Sequence, residues 1–226
     1  MSDASPAPVL DTSAGKFALH EYRFQHGGRE WSVLHTGAVL TEADETHAIV
    51  LKTQRLPYGV SLWPSAIALS LEIATRADDF PGRSVLELGA GTGLPGIVAA
   101  SLGGSVVQTD RDELAMQLCE RNGERNGVSV ARRLADWTTW DDTGRYDWII
   151  GSDILYGEAL HPQLRLIFES NLAAGGRILL SDPFRGMGLR LLEALEADGW
   201  GVSYSKWDVD GVESRSIGVF ELLPPG

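Results

Sequence analysis

The sequence predicts an α/β protein, a mostly parallel sheet with helices on both faces. Three observations carry this. From Ser84 onward, short apolar strands alternate with helical stretches. The strand candidates are continuous apolar runs of four or five residues, the pattern of strands covered on both faces. The last two candidate strands follow each other with no helix between them, so they are expected to pair antiparallel.

Residues 1–16, with Ser2, Pro6, Pro8, Ser13 and Gly15, read as a flexible tail. Two β-leaning runs, 17–24 and 31–34, flank His26-Gly27-Gly28-Arg29 and predict a hairpin. Residues 36–47 are polar and unassigned, and 49–51 read as a short strand. In 64–76, Ile67, Leu71 and Ala74 recur at helical spacing, and Pro64 suits a first turn where a missing N–H costs nothing. Pro81-Gly82 closes that segment. Then follow strand 84–88, helix 94–102 stopped by Gly103-Gly104, and strand 105–109. Helix 112–126 has Asp112 as cap and Gly127 just past its end. Strands 128–134 and 146–151 come next, then helix 158–173 closed by Gly175-Gly176. Strand 177–181, helix 188–198 and strands 201–207 and 216–222 complete the order. One domain over 17–226 is the simplest account, with an N-terminal extension (17–80) and a core (84–226).

Composition narrows the function classes. Of 226 residues, 43% are hydrophobic and 22% charged, which excludes a disordered or fibrous chain. No apolar run approaches the ~20 residues that span a bilayer, and 1–16 lacks a basic start followed by an apolar stretch. Neither membrane association nor a signal peptide is therefore expected. Nineteen basic against 31 acidic residues give a net charge of −12, which disfavours nucleic acid and suits a basic partner or a small molecule. The single cysteine, Cys119, forms no intrachain disulfide; a reducing, cytoplasmic setting is expected. The five histidines show no zinc-ligand spacing, so no metal is expected.

The strongest signal is Val85-Leu86-Glu87-Leu88-Gly89-Ala90-Gly91-Thr92-Gly93-Leu94-Pro95-Gly96, a buried strand, a glycine turn and a helix start. Ligands of open α/β sheets lie beyond the carboxyl ends of the strands, where this loop falls. The dinucleotide spacing Gly-x-Gly-x-x-Gly fails at Leu94, and a phosphate loop would need Lys-Ser/Thr where Leu94-Pro95 stands. A nicotinamide-dependent oxidoreductase is disfavoured for the same reason.

The Glu-x-Gly-x-Gly-x-Gly string (Glu87, Gly89, Gly91, Gly93) resembles motif I of the class I, or seven-β-strand, S-adenosylmethionine-dependent methyltransferases. That resemblance implies a Rossmann-like seven-stranded sheet and S-adenosylmethionine as cofactor. It implies an acid after the second strand for the ribose, matched by Asp110. It implies a polar residue near the adenine, matched by Asp136, with Trp137 placed to stack on the purine. Read without the resemblance, Asp110 also fits a helix cap and Trp137 a core aromatic. Downstream, Asp153-Ile154-Leu155-Tyr156 closes the strand that starts at Tyr146-Asp147, and upstream stands Leu62-Trp63-Pro64. Both resemble elements of the family-16 group, which includes many protein-lysine methyltransferases. Asp182-Pro183-Phe184-Arg185 resembles that group's Asp-Pro-x-Arg segment. The resemblance spans 56 to the C-terminus.

It implies methylation of a protein lysine, with Asp153 and Tyr156 at the acceptor. A lysine amine must be neutral to attack, and a neighbouring carboxylate raises its pKa, so Asp153 reads as a positioning group rather than a strong base. Tyr156 would line the acceptor channel, Trp63 the methionine end of the cofactor, and Ser152 the region of the methyl. Asp153 also fits a helix cap, and Tyr156 and Trp63 packed aromatics. A small-molecule N- or O-methyltransferase, and a non-catalytic cofactor-binding scaffold, are the alternatives.

Overall fold

The computed structural model describes residues 8–12, 15–37, 58–209 and 216–226. The expected strand at 49–51 and most of 36–47 lie outside the described residues.

The N-terminal part forms two antiparallel pairs, β1 (Val9–Thr12) with β2 (Gly15–Ala18), and β3 (His20–His26) with β4 (Arg29–His35). The second is the expected hairpin, turned by Gly27 and Gly28, both at positive φ. The first corrects the flexible-tail reading for 9–12 and 15–16. Leu10 is fully buried against Leu19, Leu34, Val60, Ala115 and Leu118, and that burial holds β1 down.

Then come α1 (Pro64–Thr75), β5 (Ser84–Leu88), α2 (Leu94–Ser101), β6 (Ser105–Asp110), α3 (Glu113–Arg125), β7 (Ala131–Leu134) and β8 (Tyr146–Ser152). After these follow α4 (His161–Asn171), β9 (Leu172–Asp182), α5 (Gly186–Ala197), β10 (Gly201–Asp208) and β11 (Ser216–Leu223). The seven strands β5–β11 form one sheet in the order β10-β11-β9-β8-β5-β6-β7. β5 through β9 run parallel, and β11 pairs antiparallel with both β9 and β10. The chain leaves β5 on one side through β6 and β7 and returns on the other through β8. The crevice beyond the ends of β5 and β8 is therefore the topological switch point.

Alternation along each strand fills both faces. Val85, Trp148, Ile150 and Leu179 pack under α1 and α2, while Leu86, Leu88, Ile149 and Leu180 pack under α4 and α5.

One boundary differs from expectation in kind. Helix 158–173 stops at Asn171, whose side-chain amide donates to the carbonyls of Asp142 (3.0 Å) and Gly144 (2.8 Å). β9 starts at once, with Leu172 paired to Tyr146 and buried. The ladder then shifts register, and Gly175, at φ +73°, lies inside this irregular strand instead of capping a helix.

Candidate active site at the carboxyl edge of the sheet

The glycine loop leaves β5 with Gly89, Gly91 and Gly93 at φ +63°, +54° and +78°. At all three space as well as conformation demands glycine: a Cβ on Gly93 would stand 2.8 Å from Gln108 Nε2 and 2.9 Å from Cys119 Sγ. A Cβ on Gly89 would stand 2.9 Å from Ile154 Cγ2, and one on Gly91 would stand 2.9 Å from the Gly59 carbonyl oxygen. Gly93 precedes α2, so the loop ends on the amino-terminal turn of that helix. Asp110 closes the neighbouring strand. Its carboxylate accepts from the backbone N–H of Gly91 (3.0 Å) and of Asp112 (3.0 Å), which fixes its direction. Burial raises its pKa, and the backbone N–H bonds work against that rise. The Trp137 indole lies beside Gly89, its Cζ2 being 3.6 Å from where a Cβ would sit.

These features fit S-adenosylmethionine. The loop is stripped of side chains, an oriented carboxylate stands one strand over for a ribose diol, and an indole borders the loop for a purine. Gly89, Gly91, Gly93, Asp110 and Trp137 are thus brought together. Asp136 reaches the same edge, but its carboxylate caps the 3-10 turn Trp137–Thr139, accepting from Thr138 N (2.8 Å) and Oγ1 (2.7 Å). Glu87 lies beneath the loop and not in the cleft. It is 1% exposed, and it accepts from Gln108 Nε2 (2.7 Å) and from the backbone of Gly96. Burial lifts its pKa to about 8.

The second cluster stands one strand away, at the ends of β8 and β9. Ser152 ends β8 opposite Ser181, and the next residue, Asp153, has φ +57°. Asp153 forms an ion pair with Arg185, which also reaches Asp182 Oδ2 (3.3 Å), while the Arg185 backbone N–H donates to Asp182 Oδ1 (2.6 Å). Burial opposes the charge on Arg185, but the two carboxylates outweigh it and hold the guanidinium charged. Phe184, just before Arg185, has φ +59°, so a second non-glycine residue is left-handed at this edge. Tyr156 is 46% exposed and lies within the electrostatic reach of Asp110, Asp153 and Arg185. Trp63 is half-buried at the start of α1. Ser181 Oγ donates to the Ser65 carbonyl (2.8 Å) and ties that turn to the end of β9.

Three site residues are not singled out by the sequence. Arg185 and Asp182 read only as parts of a segment, because the bond from Arg185 to Asp153 joins positions 32 apart. Ile154 has no motif signal, yet it wedges against the loop at Gly89 and against Gly151, where a Cβ would stand 2.5 Å from its Cδ1. It packs between the two clusters.

Residues 43–185 match the model of a family described as lysine methyltransferase. The chain is similar to protein N-lysine methyltransferase METTL21A of Xenopus tropicalis, 37% identical over 147 residues, covering 62% of this chain and 68% of that protein. With METTL21A of Danio rerio it is 35% identical over 159 residues, covering 66% and 72%. With mouse EEF1A lysine methyltransferase 3 it is 32% identical over 136 residues, 58% of each. Among solved structures, magnesium protoporphyrin IX methyltransferase of Synechocystis with bound S-adenosylhomocysteine superimposes with a TM-score of 0.56 at 17% identity, covering 70% of this chain and 82% of that one. A Thermus thermophilus 16S rRNA methyltransferase in complex with S-adenosylmethionine and guanosine gives a TM-score of 0.62 at 18% identity, covering 99% and 53%. These structural likenesses establish the fold.

Proposed function

Because the chain belongs to the lysine methyltransferase family, we propose that its acceptor lysine is held at the Asp153–Arg185–Asp182 cluster, beside a donor seated on the glycine loop. The protein is an S-adenosylmethionine-dependent enzyme that methylates protein lysine. When bound, the cofactor supplies an electrophilic methyl group on a sulfonium.

The chain's own residues then have distinct tasks. Asp110 accepts from the ribose hydroxyls, Trp137 lies against the purine, and Gly91 lets the backbone approach. Asp153 orients the incoming ammonium. A lone carboxylate would hold that amine protonated. Arg185 offsets this effect, because its guanidinium already shares Asp153 and Asp182. The cluster brings two carboxylates, Asp153 and Asp182, to one guanidinium, a setting that suits an arriving lysine. Tyr156 lines the entry, its ring face suited to a cation. A basic segment around the target lysine suits a chain of net charge −12. A cytoplasmic setting goes with this reading, on the sequence's single, buried thiol.

The ion pair between Asp153 and Arg185 at the switch-point crevice carries the assignment. The test incubates wild type and Asp153→Ala with labelled S-adenosylmethionine and a cell extract, beside calorimetry with the cofactor alone. The expected result is loss of label from the protein fraction at unchanged cofactor affinity. Parallel loss of both would move Asp153 to the cofactor, and label confined to small molecules would overturn the protein acceptor.

A further inference from the structure

The free edge of β4 meets a helix instead of a strand. Ser32 N donates to Asn126 Oδ1 (3.0 Å), and Asn126 Nδ2 donates back to the Ser32 carbonyl (2.7 Å). Leu34 N donates to Asn122 Oδ1 (2.7 Å), and Asn122 Nδ2 donates back to the Leu34 carbonyl (3.0 Å). Strand residues two apart advance roughly 6.6 Å and helix residues four apart roughly 6 Å, so two amides on α3 match two rungs of β4. The helix completes the hairpin as a third strand would.

The rungs differ in their remaining donor. Asn126 turns its own toward the Asn122 carbonyl within the helix (2.7 Å). Asn122 Nδ2 reaches the Thr92 carbonyl (2.8 Å), between Gly91 and Gly93. Asn122 is fully buried and Thr92 nearly so, so losing this donor strands a carbonyl away from water. One turn back on α3, Cys119 Sγ lies 3.5 Å from the Gly91 carbonyl. Residues of α3 thus hold both the loop and the hairpin.

We propose that Asn122 is a positioning residue for the glycine loop, and that through it the β3–β4 hairpin sets the affinity for S-adenosylmethionine. The hairpin lies upstream of the stretch matching the family model. Linkage makes the effect reciprocal: cofactor binding must also tighten the hairpin.

The experiment is calorimetry with S-adenosylmethionine on the full chain, for wild type, Asn122→Asp, Asn126→Ala and Gly91→Val. Asn122→Asp keeps the acceptor for Leu34 N and removes the donor to Thr92 and Leu34. It should weaken binding about tenfold, within the usual range of coupling between sites, while Asn126→Ala stays near wild type. An Asn122 that merely glues the hairpin would lower stability in both variants and leave both affinities alone, which overturns the proposal. Should Asn122→Asp not fold, hydrogen exchange on wild type decides. Saturating cofactor should slow exchange at the Leu34 amide, and an unchanged rate overturns the linkage. The proposal rests on the cofactor occupying the glycine loop. Wild-type affinity in Gly91→Val would sink that placement, whereas normal binding by Asn122→Asp beside an impaired Gly91→Val would sink only the role of Asn122.

Discussion

On the β5–β6 side of the crevice the left-handed residues are Gly89, Gly91 and Gly93; on the β8–β9 side they are Asp153 and Phe184. The first side solves its geometry with residues that adopt such backbone without strain. The second holds two side chains in it, at a cost of order 1–3 kcal/mol each. The charge is organised differently too. Asp110 is steered by backbone N–H groups, and Asp153 by a guanidinium from the turn after β9. A donor site presents backbone to an invariant ligand. An acceptor site must present chemistry, and chemistry requires side chains in places the backbone disfavours.

The sharpest way to break this contrast is Gly91→Val. It places a branched side chain at φ +54° with its Cβ on the Gly59 carbonyl. Strain and collision together should weaken S-adenosylmethionine binding by about 100-fold or more, read by calorimetry. If affinity held, the loop would not be the donor site, and the contrast would lose one of its terms.

Next in size is Arg185→Gln, which acts on the other side. It removes the guanidinium that the side chains of Asp153 (10% exposed) and Asp182 (2% exposed) share. Stripping one partner from a buried pair costs about 3–5 kcal/mol. Arg185 is itself a quarter exposed, so about 2–3 kcal/mol is expected here, lowering Tm by roughly 5–10 °C. The deficit should shrink in acid, where protonated carboxylates need no guanidinium. Cofactor affinity should stay near wild type; an equal fall there would mean that the two sides are one unit.

The same contrast explains what could be read in advance. Gly89, Gly91, Gly93 and Asp110 sit at fixed offsets around one strand–turn–helix unit, so a local pattern exposed them. The parallel core was legible because strands such as Trp148-Ile149-Ile150 are apolar on both faces. The tie between Arg185 and Asp153 escapes because it joins the turn after β8 to the turn after β9 and leaves no spacing in the chain. Asn122 carries no signal in the chain, since its partners Leu34 and Thr92 lie 88 and 30 positions away. β1 reads as tail because it has one buried leucine, Leu10, and one leucine makes no pattern.

The smallest effect tests the donor side from below. Glu87 is an acid under the glycine loop, and Oε1 of both Glu87 and Gln108 lacks a hydrogen-bond partner among the described residues. A proton on Glu87 removes the buried charge from this set of acceptors. The unfolded chain releases this proton near pH 4.5, while the folded chain keeps it to about pH 8. Between those values the folded state binds more protons, so stability falls as pH rises and levels off above about 8. Glu87→Gln retains the shape and removes the titration. Its Tm should match wild type near pH 4.5 and exceed it by a few degrees at pH 8.5, with S-adenosylmethionine affinity unchanged at neutral pH. Loss of affinity instead would place Glu87 in contact with the ligand, and the loop would owe its charge as well as its shape to side chains. The donor side would then be built as the acceptor side is.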